Sequence, residues 1–232
     1  MAGILFIISA PSGSGKSTLV AQLRTLVEGL DFSVSYTTRA PRGSEEDGRE
    51  YHFTTRENFE RMIAAGEFLE WAEVFGNYYG TARSSLEHAR ANHKDLLLDI
   101  DVQGAMQVMR AQPDAVSIFV MPPNPGVLAT RLENRSRAEN VTDAAVVARR
   151  LQQAYLEIRH LEAYRYAIVN DVLDEAVAEM RAIVLQERFA RHPELKAAAD
   201  EADVSECQRL ATECCTGPGS AKLKAALASF SG

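Results

Sequence analysis

The stretch Ala10-Pro-Ser-Gly-Ser-Gly-Lys-Ser-Thr18 constrains this chain more than any other, because it follows the apolar run Ile4-Leu5-Phe6-Ile7-Ile8 directly. A short apolar run bounded by glycines reads as a buried strand, and the residues from Ser17 onward open a helix. Strand, glycine-rich turn and helix in that order make a phosphate-binding loop. Gly13 and Gly15 carry no Cβ, so the backbone can turn tightly and aim its N–H groups at phosphate oxygens. The helix adds the positive end of its dipole. In such a loop Lys16 reaches the β- and γ-phosphates and the Ser17 hydroxyl sits on Mg²⁺. The usual pattern opens on glycine, where this chain has Ala10. A nucleoside triphosphate is the expected ligand.

A chain of 232 residues accommodates one α/β domain with a small insertion, or at most two domains. Its apolar runs all stop well short of the ~18 residues of a membrane span. Met1-Ala-Gly-Ile-Leu lacks the basic start of a signal peptide, so a cytoplasmic location without a membrane partner is expected. The net charge of −7 argues against non-specific binding of nucleic acid. Any anionic ligand must then be met by a local basic cluster. Cys207, Cys214 and Cys215 lie in the tail without metal-ligand spacing and read as reduced thiols.

Strand-like runs at 4–9, 96–100, 116–121 and 166–169 alternate with helical periodicity at about 16–29, 103–112, 125–136, 143–163 and 173–191. That alternation predicts an α/β fold with a central, mostly parallel sheet flanked by helices. Residues 32–83 break the rhythm and read as an inserted α+β subdomain. Its one helix is expected to start at a capping box, Thr54 with Glu57, and to stop at Gly66. A second box, Ser84 with Glu87, is expected to open the next helix. Trp71 is expected in the core. The Ala-rich tail over 194–232 reads as a poorly ordered appendage, with one weak amphipathic helix around Leu223, Leu227 and Phe230.

The motifs continue with Ser33-Val-Ser-Tyr-Thr-Thr-Arg39-Ala-Pro-Arg42, Gly48-Arg-Glu-Tyr51, Phe68-Leu-Glu70-Trp, Gly76-Asn-Tyr-Tyr-Gly-Thr81, Leu98-Asp-Ile-Asp101-Val-Gln-Gly104 and Ile168-Val-Asn-Asp171. Together with the loop they closely resemble the guanylate kinase family over about residues 3–190. That resemblance implies a P-loop NTPase fold over 1–193, with the core in 1–31, 84–131 and 151–193, a GMP-binding insertion at 32–83 and a helical lid at 132–150. It implies phosphoryl transfer from ATP to GMP with Mg²⁺, both substrates small molecules, in a monomer or a homodimer. The alternatives are a related kinase acting on ribose 1,5-bisphosphate and an inactive binding module.

Residue chemistry supports the same roles. The guanidinium forks of Arg39 and Arg42 and the phenols of Tyr51 and Tyr79 suit a dianionic phosphate, and the resemblance assigns them the GMP phosphate. A carboxylate can accept from the N1–H and 2-amino edge of guanine, and a hydroxyl can donate to its 6-oxo group. By resemblance Glu70 and Asp101 take the first task, and Ser35 and Thr81 lie near the base. Asp99 ends the apolar run Leu96-Leu97-Leu98 as an acid expected near the metal, with Ser17. ATP is assigned Ala10, Ser12, Gly13, Ser14, Gly15, Lys16, Ser17, Thr18 and Asn170. Arg131, Arg135, Arg137 and Arg150 are the catalytic arginines of the lid. The interval from Arg135 to Arg150 is longer than usual, so which of Arg135 and Arg137 reaches the phosphates is left open. Thr142 is expected to cap the helix that follows.

Overall fold

A computed structural model describes residues 3–138, 143–217 and 220–230. The chain runs β1 (Leu5–Ser9), α1 (Lys16–Leu26), β2 (Leu30–Phe32), β3 (Tyr36–Thr37), β4 (His52–Phe53) and α2 (Arg56–Ala64). It continues through β5 (Phe68–Val74), β6 (Asn77–Ala82), α3 (Arg83–Ala91), β7 (Asp95–Asp99), α4 (Val102–Ala111) and β8 (Val116–Met121). Last come α5 (Pro125–Ala138), α6 (Ala144–Ile158), β9 (Tyr166–Val169), α7 (Leu173–Arg191), α8 (Pro193–Ala198), α9 (Glu201–Glu213) and α10 (Ala221–Ser229). Five strands form a central sheet in the order β2-β7-β1-β8-β9, flanked by helices, and the β2/β7 and β8/β9 ladders are parallel. β1, β8 and β9 are buried along their whole length and mostly apolar, as strands covered on both faces are. Among the described residues no helix is long and apolar enough to cross a membrane.

The chain forms two compact units, Met1–Ile7 with Gly29–Val116 and Ile8–Glu28 with Ser117–Gly232. The first unit holds a second sheet, ordered β4-β3-β6-β5. Phe59 and Met62 on α2 pack there against Phe68 of β5, with the Phe59 and Phe68 rings stacked at 4.3 Å. Thr55, not Thr54, caps α2: its hydroxyl accepts from Asn58 N at 3.2 Å, while Thr54 accepts from the Asn58 amide at 2.7 Å. The shift follows from the extended backbone of Thr55, which leaves its side chain above the first helical N–H groups. The box expected at Ser84 does not form, since α3 already starts at Arg83 behind an uncapped Ala82. Trp71 is 38% exposed and not in the core; it meets Tyr78 edge-on at 5.7 Å.

In the second unit Leu128, Leu132 and Ala154 join α5 to α6, with Val147, Leu151 and Phe230 against them. Asp143 caps α6 by accepting from Ala145 N at 2.8 Å; Thr142 lies outside the described residues. The helix stops at Ile158, and a single 3₁₀ turn over Leu161–Ala163 takes the place of the helical end expected there. The segment after 193 is helical where the sequence suggests a poorly ordered tail. Val204 and Cys207 of α9 bury against Ala182 and Phe189 of α7, and Lys222 of α10 reaches Glu175 and Glu179 at 3.3 and 3.2 Å. Cys215 forms a one-residue antiparallel bridge with Tyr166 at the outer edge of β9.

Candidate functional site

The glycine loop of the second unit is built by two left-handed residues, Gly13 (φ 88) and Gly15 (φ 84), the latter the N-cap of α1. A Cβ on Gly15 would collide with the Asn170 amide, and one on Gly13 would stand 3.1 Å from Leu128 and Leu132. Side chains from later in the chain hold the loop. Asn170 Nδ2 donates to Ser14 O at 2.7 Å, and Arg131 donates to Asn170 O at 3.1 Å and to Ser14 O at 3.4 Å. Arg135 reaches the Ser12 hydroxyl at 3.2 Å. Ser14 Oγ is buried without a hydrogen-bond partner among the described residues. Lys16 opens α1 half-buried, Ser17 and Thr18 are exposed, and Ala10 is buried.

Thus Ser12, Ser14, Gly15, Arg131, Arg135 and Asn170 come together. Arg137 does not join them; it is 77% exposed and lies 3.7 Å from Glu133 on its own helix. Arg150 donates to Ser136 at 3.2 Å and so ties α6 to α5. Residues 139–142, in the middle of the expected lid, lie outside the described residues.

In the first unit Arg39 follows β3 and is 9% exposed. Glu45 grips it end-on, with Arg39 NH2 to Glu45 Oε1 at 3.0 Å and NH1 to Oε2 at 2.9 Å, while NH1 also donates to Ala40 O at 2.7 Å. The guanidinium lies over the rings of Tyr51 and Phe53 at 5.3 and 5.9 Å. Burial disfavours its charge, but Glu45 and Tyr79 beside it outweigh burial and hold its pKa above the ordinary value. Tyr51 and Tyr79 meet edge-on at 5.8 Å. Burial, reinforced by the Asp99 carboxylate and Tyr79, pushes the Tyr51 phenol up, so it remains a proton donor. Arg42 is exposed at the far side of the turn, its N–H bonded to Glu45 Oε2 at 2.8 Å.

A second cluster lies along β5 and β6. Glu70 and Thr81 are paired directly across the ladder, so their side chains share a face. Glu70 is 4% exposed and Thr81 0%, and the Thr81 hydroxyl has no hydrogen-bond partner among the described residues. Asp101 caps α4 by accepting from Gly104 N at 2.9 Å, and Ser35 is buried on the approach to β3. Sequence reasoning missed Glu45, whose only signal is its place in the turn that carries both arginines.

The sequence profile described as guanylate kinase matches residues 3–187. The chain belongs to the guanylate kinase family. It is 52% identical to the guanylate kinase of Koribacter versatilis over 93% of this chain and 90% of that protein. Against the guanylate kinase of Syntrophotalea carbinolica it is 50% identical over 80% of this chain and 86% of the relative. The crystal structure of guanylate kinase from Anaplasma phagocytophilum superposes with a TM-score of 0.66 at 38% identity, covering 81% of this chain and 87% of that one. Membership of the guanylate kinase family fits the α/β fold described above and agrees with the resemblance carried by the motifs.

Guanylate kinases transfer phosphoryl groups, chemistry that calls on Mg²⁺. Among the described residues there is no group of three or more His, Cys, Asp or Glu side chains gathered as for a metal. The exposed Ser17 hydroxyl and the half-buried Asp99 carboxylate are hard oxygen donors. A cation that keeps several waters and takes phosphate oxygens needs few protein ligands. Each is of the donor type that Mg²⁺ takes.

Proposed function

We propose that this chain transfers the γ-phosphoryl group of ATP to a phosphate oxygen of GMP, reversibly, giving ADP and GDP, with dGMP as a secondary acceptor. The observation that carries the proposal is the buried Glu70–Thr81 pair, an acceptor beside an unpartnered hydroxyl. Guanine presents two N–H donors to a carboxylate and an oxygen to a hydroxyl. Adenine lacks that donor edge and would offer the buried Glu70 carboxylate no N–H in its place, a mismatch of a kind that discriminates by ~10⁴–10⁵ in comparable sites. Ser35 and Asp101 would complete the base contacts.

Arg39 and Arg42, with the Tyr51 and Tyr79 phenols, would hold the acceptor phosphate. Because Glu45 fixes Arg39 in advance, little ordering is left for substrate to do. On the donor side the loop from Ala10 to Thr18 would cradle the triphosphate through its N–H groups, with Lys16 on the β- and γ-phosphates and Asn170 holding the loop in shape. Arg131, Arg135 and Arg150 would neutralise charge on the transferred group, with no protein nucleophile involved. Mg²⁺, held by Ser17 and Asp99, would supply charge neutralisation at the phosphate oxygens. The enzyme would act in the cytoplasm.

The test is ATP-dependent phosphorylation of GMP, dGMP, AMP, CMP, UMP and ribose 1,5-bisphosphate, with Mg²⁺ and with EDTA. GMP should be preferred by at least about 10³-fold over AMP and EDTA should abolish turnover. Lys16→Met should lower turnover by more than about tenfold with the fold intact. Preference for the sugar phosphate, or a folded ATP-binding protein with no acceptor, would overturn the proposal.

A further inference from the structure

Glu70 sits at an irregular point of an edge strand. The β5/β6 register slips between Phe68 and Glu70, and such a bulge re-aims the side chain that follows it. On its other side β5 has no strand neighbour among the described residues, being the last strand in the order β4-β3-β6-β5. A bulged edge strand has little to fix it, yet a carboxylate that reads a base must be placed closely.

Two residues of α4 meet that need. Gln107 Nε2 donates to Trp71 O at 2.7 Å, and Gln107 Oε1 accepts from Trp71 N at 3.3 Å. One carboxamide thereby makes both bonds a neighbouring strand would make, at the residue next to Glu70. Three positions earlier, on the same face of the helix, stands Gly104. A Cβ there would overlap Glu70 Oε2, stand 2.9 Å from Glu70 Cδ and 3.1 Å from Asp101 Oδ1. Glycine is a poor helix former, and its place in the first turn of α4 is explained by the carboxylate that occupies the space a methyl group would take.

We propose that Gly104 and Gln107 are positioning residues that set where the Glu70 carboxylate lies and thereby determine guanine specificity. The proposal rests on Glu70 accepting from the guanine donor edge. Inosine monophosphate separates this role from general stability, because it keeps the 6-oxo group and N1–H but lacks the 2-amino donor.

Glu70→Gln, Gly104→Ala and Gln107→Leu are compared with the parent for kcat and KM with GMP, inosine monophosphate and ATP, alongside thermal midpoints. Gly104→Ala should raise the GMP KM by about tenfold or more, the loss of roughly one charge-assisted hydrogen bond. Its kcat at saturating GMP should stay within about threefold of the parent and its ATP KM should not change. The preference for GMP over inosine monophosphate should fall by about tenfold in Gly104→Ala and by a smaller factor in Gln107→Leu. A folded Gly104→Ala variant that keeps the parent preference overturns the positioning role if Glu70→Gln collapses it. If Glu70→Gln also keeps it, the guanine-reading role of Glu70 fails first.

Discussion

Thr81 offers a substitution whose two effects have opposite sign. Its side chain is fully buried on β6, and its hydroxyl has no hydrogen-bond partner among the described residues. An unmet buried hydroxyl costs about 1–3 kcal/mol. Thr81→Val replaces it by a methyl group of similar shape and keeps the β-branched form that strands prefer. Without nucleotide the variant should therefore gain about 1–3 kcal/mol, which for a chain of this size raises the melting midpoint by about 2–4 °C per kcal/mol. On the proposed reading GMP recovers that penalty through its 6-oxo oxygen, so the variant should bind GMP about 5- to 150-fold more weakly. Scanning calorimetry without nucleotide and isothermal titration with GMP and ATP measure both quantities, and ATP affinity should be unchanged. A destabilised free protein with undiminished GMP affinity would refute the reasoning, because it would mean that the hydroxyl serves packing and not ligand.

Glu45→Gln keeps the shape that grips Arg39 but removes its charge, and ion-assisted bonds are roughly twice as strong as neutral ones; the GMP KM should rise by about five- to tenfold with ATP KM unchanged. Burial raises the Glu45 carboxyl pKa but Arg39 and the Arg42 N–H outweigh it, so the group titrates below its ordinary value of 4.5. A depressed carboxylate stabilises fully above its unfolded pKa and loses that contribution as pH falls through the folded one. Exchange protection of the Arg42 amide should accordingly persist at neutral pH and decline only below pH 4.5 in the parent, with no such step in Glu45→Gln. Phe230→Ala removes a half-buried ring that packs on the α5–α6 cluster and meets Tyr155 at 5.4 Å. It should cost about 1–2 kcal/mol in urea unfolding, less than the 3–5 typical of a fully buried phenylalanine, and a loss below about 0.3 kcal/mol would show that the ring contributes nothing there.

The strands at 116–121 and 166–169 and the helix at 173–191 are legible to the residue, because a continuous apolar run or a long amphipathic period leaves few alternatives. β2 is not, being three residues long with an aspartate in its middle, and its pairing with β7 exists only in three dimensions. Helix starts slip by a residue or two where neighbouring hydroxyls compete, as Thr54 and Thr55 do. The tail misleads because its burial is spread over Val204, Cys207, Cys214 and Leu223, each surrounded in sequence by alanine and charge. In the candidate site the glycines, arginines and carboxylates are legible by motif. Their supports are not: Glu45 looks like one more solvated charge, Gln107 like an exposed helix residue, and the Glu70–Thr81 register depends on a bulge no pattern announces.

The bridge between Tyr166 and Cys215 bears on behaviour in a crowded solution. β9 is the last strand of its sheet, and an open edge offers unpaired N–H and C=O groups to any extended chain that drifts near. Ala167 N donates to Cys214 O at 2.8 Å and Thr216 N to Arg165 O at 3.1 Å, so both bonds are satisfied from within the same chain. The segment after α9 thus occupies a place where a stranger would otherwise pair, and leaves the strand that ends at Val169 a poorer template for association with other chains.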